Sequence, residues 1–156
     1  MLEKENETKK RKNTETRFGG FKPTAAFIGS AWLALGIGLI SFCIGLWNAD
    51  MLLNEKGYYF TIILFGLFSV ISVQKSVRDR TENIEVTDLY YGISWFAAIV
   101  SILLLVIGLR NADIDLSEKG FYGMAFTLAL FGSIAVQKNT RDLKAIKRQE
   151  ESMDSI

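Results

Sequence analysis

The sequence predicts an all-α membrane protein: four transmembrane helices, arranged as two tandem hairpins that repeat in the same orientation. Three observations predict it. First, the 156-residue chain is 49% hydrophobic and 22% charged, and the two classes are segregated. No charged residue falls between Lys22 and Asp50, Lys56 and Lys75, Asp88 and Arg110, or Lys119 and Lys138, gaps of 27, 18, 21 and 18 residues. At about 1.5 Å per residue, 18 helical residues cover roughly 27 Å, close to the hydrocarbon thickness of a bilayer. Second, Gly45–Phe60 (GLWNADMLLNEKGYYF) returns 63 residues later as Gly108–Gly123 (GLRNADIDLSEKGFYG). Third, lysine and arginine concentrate on one side of the implied spans. A water-soluble four-helix bundle would need a charged face on each helix. The run from Tyr58 to Val73 has only Thr61, Ser69 and Ser72 as clearly polar members, and none is charged.

Met1 to Lys22 is polar and lysine-rich, with Lys9-Lys10-Arg11-Lys12 at its centre. It lacks the apolar residues needed to fold alone, so disorder is expected. Next to a membrane helix, such a cluster is expected to hold that end in the cytoplasm, not to bind nucleic acid. Pro23 and Thr24 open the first span, where the missing N–H of proline is harmless. The apolar run is longer than that of a cleaved signal, and Trp47 stands where a cleavage site wants a small residue, so an uncleaved span is expected. Ser30, Ala34 and Gly38 form a small-residue stripe that admits a second helix closely. Asn48 suits the helix exit, since asparagine accepts left-handed backbone.

In the first turn Asn54 is the expected N-cap of the second helix, with Glu55 in its first turn. Tyr58 and Tyr59 fall where an interfacial aromatic belt belongs. The second span ends near Gln74, and Lys75 and Arg78 follow where both the helix dipole and cytoplasmic headgroups favour cations. Ser76 to Asp88 is a charged linker that briefly continues the helix. Tyr90, Tyr91 and Trp95 begin the third span, which ends near Leu109. Ser117 replaces Asn54 as the expected cap of the fourth helix, and Ala125, Ala129 and Ser133 repeat the small-residue spacing. The expected organisation is a basic tail over 1–22, a two-helix repeat over 23–79, a linker over 80–88, a second repeat over 89–142 and a polar tail over 143–156.

Orientation follows from lysine and arginine. Seven lie in the N-terminal tail, three in the linker from Lys75, five in the tail from Lys138, and three in the two hairpin turns together. The positive-inside rule puts both termini and the linker in the cytoplasm. Each repeat contains two spans, so the copies point the same way and are expected to be related by a pseudo-two-fold along the membrane normal.

Two repeated polar constellations are the candidate sites. The outer-turn motif comprises Asn48, Asp50, Glu55, Lys56 and Gly57, answered by Asn111, Asp113, Glu118, Lys119 and Gly120. The cytoplasmic-border motif comprises Gln74, Lys75 and Arg78, answered by Gln137, Lys138 and Arg141. The paired pattern GL-[WR]-NA-D, EKG-[YF]-Y and a closing QK-x-x-RD resembles the YiaA/YiaB family of small bacterial inner-membrane proteins. The resemblance covers about Ala26 to Asp142. It implies a multi-pass inner-membrane protein built from two-helix units, and it implies no activity. Arg110 departs from the tryptophan at Trp47, so the copies are not interchangeable.

Function classes narrow by absence. No span carries an ionisable residue of the kind a proton-coupled carrier keeps in the membrane, nor a proline that would break a helix around a substrate. The chain has no histidine, the commonest general base, and one cysteine, Cys43. No enzyme, cofactor or metal centre is expected. The outer carboxylates Asp50, Glu55, Asp113, Asp115 and Glu118 either bind a divalent cation or serve as caps, with Glu55–Lys56 and Glu118–Lys119 forming ion pairs across the pseudo-two-fold. Gln74 and Gln137 either help form a lipid-headgroup site or mark helix ends reaching interfacial water. Beyond the lipid bilayer, the expected partners are further copies of the chain or other membrane proteins. The expected role is non-enzymatic, organising or partnering membrane components with envelope stress as its setting. The competing class is a small oligomeric transporter or channel.

Overall fold

The computed structural model describes residues 22–154, so the disorder expected for the basic tail lies outside the described residues. There are four helices: α1 (Ala25–Asn48), α2 (Leu53–Thr81), α3 (Asp88–Asn111) and α4 (Leu116–Asp154). All four are long and apolar enough to cross a membrane. The side chains are distributed as lipid demands. Large apolar groups point outward, among them Trp32, Leu33, Phe68, Phe96 and Phe131, whereas Ser69, Ser72, Ser94, Ser101 and Ser133 are buried. In water this would be inverted; in a bilayer the hydrocarbon takes the apolar surface, and polar groups retreat to where they can be bonded.

Each helix start has a local cause. Thr24 and Thr87, equivalent in the two repeats, sit in extended backbone, and their hydroxyls accept from the N–H groups of Phe27 and Tyr90. The outer helices begin differently from expectation. Asn54 and Ser117 lie inside the first turns of α2 and α4 and are not their N-caps. Leu52 precedes α2 and has no side-chain acceptor, so the glutamate at the third helical position reaches back instead. The Leu52 N–H donates to Glu55 Oε2 at 2.8 Å, and the Asp115 N–H donates to Glu118 Oε2 at 3.2 Å. This is the glutamate half of a capping box, used once in each repeat. The exit of α1 also departs from expectation. Asn48 does not turn left-handed; Ala49 continues in extended backbone with ψ 142°, and Asn48 Nδ2 donates to the Ile44 carbonyl at 2.9 Å. Among the described residues other than glycine, only Asn83 in the linker has positive φ, at 57°.

The packing order differs from the chain order. α1 packs extensively on α4, and α2 on α3, while α2 and α4 meet in the middle; α1 with α2, and α3 with α4, touch only sparingly. The repeats are therefore interleaved: the first helix of each lies against the second helix of the other. Across the centre, Tyr59 and Tyr122 occupy equivalent positions and stack with centroids 6.1 Å apart and ring planes 16° apart. The main core gathers Phe42, Tyr59, Ile63, Tyr122, Phe126 and Ala129 from α1, α2 and α4, together with Leu105 and Leu109 from α3.

The expected small-residue stripes are present in part. Ala125, Ala129 and Ser133 are buried on α4 and Gly38 on α1, but Ser30 faces outward. The contact is backbone to backbone. A Cβ on Gly38 would stand 2.8 Å from the Ala125 carbonyl oxygen and closer still to the Ala129 nitrogen. A Cβ on Gly132 would stand 2.6 Å from Leu35 Cα. At the equivalent crossing of α3 and α2, Ser101 and Ser69 replace these two glycines, and each hydroxyl donates to a carbonyl of its own helix.

Candidate functional site

The outer-turn motif comes together, but between repeats. Gly45, at the end of α1, lies against the ring of Phe121 at the start of α4, with Tyr122 alongside; a Cβ there would meet Phe121 Cε1 at 2.6 Å and Tyr122 Cε1 at 3.3 Å. Gly108, at the end of α3, lies in the same way against Tyr58 and Tyr59 of α2, at 2.7 and 3.1 Å. Close approach of an aromatic pair is the physical demand on both glycines. It accounts for the joint repetition of Gly-Leu-x-Asn-Ala-Asp and of the two aromatics after Glu-Lys-Gly: each is the other's docking surface in the opposite repeat. The aromatic pairs are themselves braced edge-on, Tyr58 to Tyr59 at 5.4 Å and Phe121 to Tyr122 at 5.6 Å. Tyr58 adds a bond that Phe121 cannot make, donating its hydroxyl to the Leu104 carbonyl at 2.8 Å.

Two matching grooves result. One, of about 360 Å³, is walled by Gly45, Asn48 and Ala49 from α1's exit and by Ser117, Glu118 and the Phe121–Tyr122 pair of α4. The other, of about 370 Å³, is walled by Gly108, Asn111 and Ala112 from α3's exit and by Asn54, Glu55 and the Tyr58–Tyr59 pair of α2. Of the candidate residues, Asn48, Asn111, Glu55 and Glu118 line these grooves; Asp50, Lys56, Gly57, Asp113, Lys119 and Gly120 are not among the lining residues. The expected lysine–glutamate ion pairs across the pseudo-two-fold are absent among the described residues. Lys56 Nζ instead donates to the Trp47 carbonyl at 2.9 Å, closing the first turn and placing a cation at the negative end of α1. No three carboxylate or cysteine side chains among the described residues form a group able to hold a metal ion.

The border motif makes one bond between the repeats. Gln74 Nε2 donates to the Ile134 carbonyl of α4 at 3.0 Å, tying α2 to α4. The Gln74 and Gln137 side-chain oxygens are buried without a hydrogen-bond partner. Lys75 and Lys138 are exposed. Arg78 and Arg141 each turn onto the aspartate that follows them, Arg78 Nη2 to Asp79 Oδ1 at 2.6 Å and Arg141 Nη2 to Asp142 Oδ1 at 2.8 Å. The arginine charges are thus partly answered within the motif, which leaves less for a lipid phosphate than the sequence suggests. Across the linker, Arg80 pairs with Asp88 and lies 4.0 Å over the Tyr91 ring, pinning the end of α2 to the start of α3.

Sequence reasoning missed two kinds of residue. The docking glycines Gly45 and Gly108 opened the repeated motif, yet their role could be read only by pairing them with aromatics of the other copy. Asn139 gave no signal: it is 2% exposed, and neither amide atom has a partner. The equivalent position is Ser76, whose hydroxyl donates to the Val73 carbonyl.

The fold and its paired grooves define a polytopic α-helical membrane protein made of interleaved two-helix repeats. The family model for the YiaA/B two-helix domain matches residues 27–79 and again 90–142, and the chain belongs to that family. It is 55% identical to inner membrane protein YiaA of Escherichia coli K12 over 75% of this chain and 81% of that protein. It is 30% identical to inner membrane protein YiaB of the same organism, over 67% of this chain and 88% of that one. An uncharacterized membrane protein of Bacillus subtilis 168, YubF, is 42% identical over 40% of this chain and 74% of its own length. No solved structure matches the chain significantly.

Proposed function

We propose that this is an inner-membrane protein that works by holding or partnering other membrane components, without enzymatic activity and without carrying a solute through its own interior. The observation that carries this reading is the state of the interior. The buried serines Ser69, Ser72, Ser101 and Ser133 each donate to a carbonyl of their own helix. The α1–α4 crossing is closed to backbone contact at Gly38 and Gly132. A packed bundle with back-bonded hydroxyls suits a structural element, since transport needs a wettable route. In proteoliposomes the purified protein is expected to give no flux of small ions or neutral solutes above empty vesicles. A flux that rises with protein and is abolished by Ser101→Val would overturn the reading in favour of an oligomeric channel.

The proposed topology has both termini and the linker in the cytoplasm, on the distribution of lysine and arginine. Asn54 and Ser117 are exposed in the first turns of α2 and α4, next to the two hairpin turns. In a Cys43→Ser background, Asn54→Cys and Ser117→Cys are expected to react with a membrane-impermeant maleimide in intact spheroplasts. Labelling only after lysis would reverse the orientation.

A further inference from the structure

We infer that each of the two turn-side grooves is a binding site for a primary ammonium group, so that one chain carries two pseudo-equivalent sites, each built half from one repeat and half from the other. This goes beyond the proposed role and does not depend on it. Three features of the grooves point to the same ligand chemistry.

The one charged group on the walls of each groove is an acceptor. Glu118 and Glu55 supply one carboxylate to each groove. One oxygen of each receives the capping N–H, and the remaining carboxylate valence is open. Asn48 has committed one amide N–H to the Ile44 carbonyl, which leaves its oxygen and a second N–H. Tyr58 has committed its proton to the Leu104 carbonyl, which leaves its lone pairs. A ligand that donates several N–H bonds matches this set; an anion does not.

The aromatic walls are cation-favouring as well. Phe121 and Tyr122 line one groove, and Tyr58 and Tyr59 the other. Ring faces attract an ammonium group, the more so where it is partly desolvated. One side of each groove is the carboxyl end of a helix, α1 at Gly45–Asn48 or α3 at Gly108–Asn111, whose negative dipole is already met by a cation, Lys56 at α1 and Arg110 in the last turn of α3. The amino ends of α4 and α2, which would favour an anion, already hold Glu118 and Glu55. No lysine or arginine is among the lining residues of either groove.

Size and position agree. Volumes of about 360 and 370 Å³ admit an aminoalkyl group with room to spare. Both grooves lie at the ends of membrane-length helices, at the depth of lipid headgroups. Ile107, on the wall of the second groove, is exposed on the outer surface of the bundle, so a ligand tethered to an acyl chain can reach in from the lipid side. The same chemistry comes from an ethanolamine headgroup or from a soluble amine.

The test uses the full chain. Protein reconstituted into vesicles of equal parts ethanolamine-, choline- and glycerol-headgroup phospholipid is released into mild detergent, and retained lipid is counted by native mass spectrometry. Up to two ethanolamine lipids per chain are expected, with choline and glycerol lipids retained far less. Glu55→Gln and Glu118→Gln keep the capping oxygen while removing the charge. Each is expected to remove one bound lipid, and the double variant to cut retention at least about tenfold, the scale of one charge-assisted hydrogen bond. In parallel, ethanolamine is titrated into protein held in glycerol-headgroup nanodiscs and followed by tryptophan fluorescence, since Trp47 adjoins Asn48. Selective retention without a saturable response to ethanolamine identifies the headgroup as the ligand; saturation abolished by the double variant identifies a soluble amine. Equal retention of choline and ethanolamine lipids by the unaltered protein, combined with no response to ethanolamine, overturns the proposal whether or not the variants fold. Binding that survives the double variant overturns it too.

Discussion

Gly38→Leu is expected to separate α1 from α4 and to leave the protein unassembled in detergent. The position has no room even for a methyl group, because the nearest atoms are the main chain of Ala125 and Ala129, which cannot rotate aside as a side chain would. Overpacking a core typically costs about 1–3 kcal/mol, and a leucine against fixed backbone belongs at or above the top of that range. In a bilayer little compensates, since helix association there rests on close packing without a hydrophobic term to drive it. The comparison that isolates the cause is Gly36→Leu, two residues away, where an added Cβ meets nothing within 4 Å. That half-buried position leaves room for a side chain, and the variant is expected to unfold in sodium dodecyl sulfate titrations within about 0.5 kcal/mol of the unaltered protein. Equal behaviour of the two variants would mean that the α1–α4 crossing is not the closest contact of the bundle.

The chain severed in the linker is expected to assemble from its halves. Cut between Asn83 and Ile84, it yields two hairpins, each inserting but neither burying its own pairing surface. Hairpins that folded by themselves would bury α1 on α2 and α3 on α4, two pairs that touch only sparingly. Co-expressed, the halves are expected to co-purify through the α1–α4 and α2–α3 interfaces, and a tagged single half to run as a heterogeneous species. In a Cys43→Ser background, Ala31→Cys and Ala135→Cys, placed on separate halves within one small apolar cluster, should join them on oxidation. Two halves that purify separately, each compact, would show that the repeats are independent domains.

Much of this was legible in the residues themselves. The four spans and the duplication follow from charge gaps and the 63-residue recurrence, because a bilayer excludes charge and helix length scales with residue number; the helices themselves run further, α2 past Gln74 to Thr81 and α4 to Asp154 through the segment read as a polar tail. The glutamates were legible as helix-start residues; that they cap by reaching back to Leu52 and Asp115, in place of Asn54 and Ser117, was not. The choice depends on where the first helical residue falls, and that shifts by a position or two with the geometry of the turn. Ser30 continued a four-residue spacing with Ala34 and Gly38 but faces outward, because the face of α1 that meets α4 runs through Ala31 instead, packed with Ala135 and Val136.

The sequence by itself determined that this chain lives in a membrane, how many times it crosses, and that two similar units point the same way. Those properties are summed over segments and need no knowledge of what lies beside them. Only the tertiary structure decided which helix packs on which, and therefore that the repeats interleave and that Gly45 meets Phe121 and Gly108 meets Tyr58. The reason is physical. Both units expose the same kinds of small and aromatic residues, so pairing within a repeat and pairing between repeats are equally compatible with the pattern. The choice rests on contacts between residues about fifty or more positions apart, where a glycine must receive a ring in three dimensions.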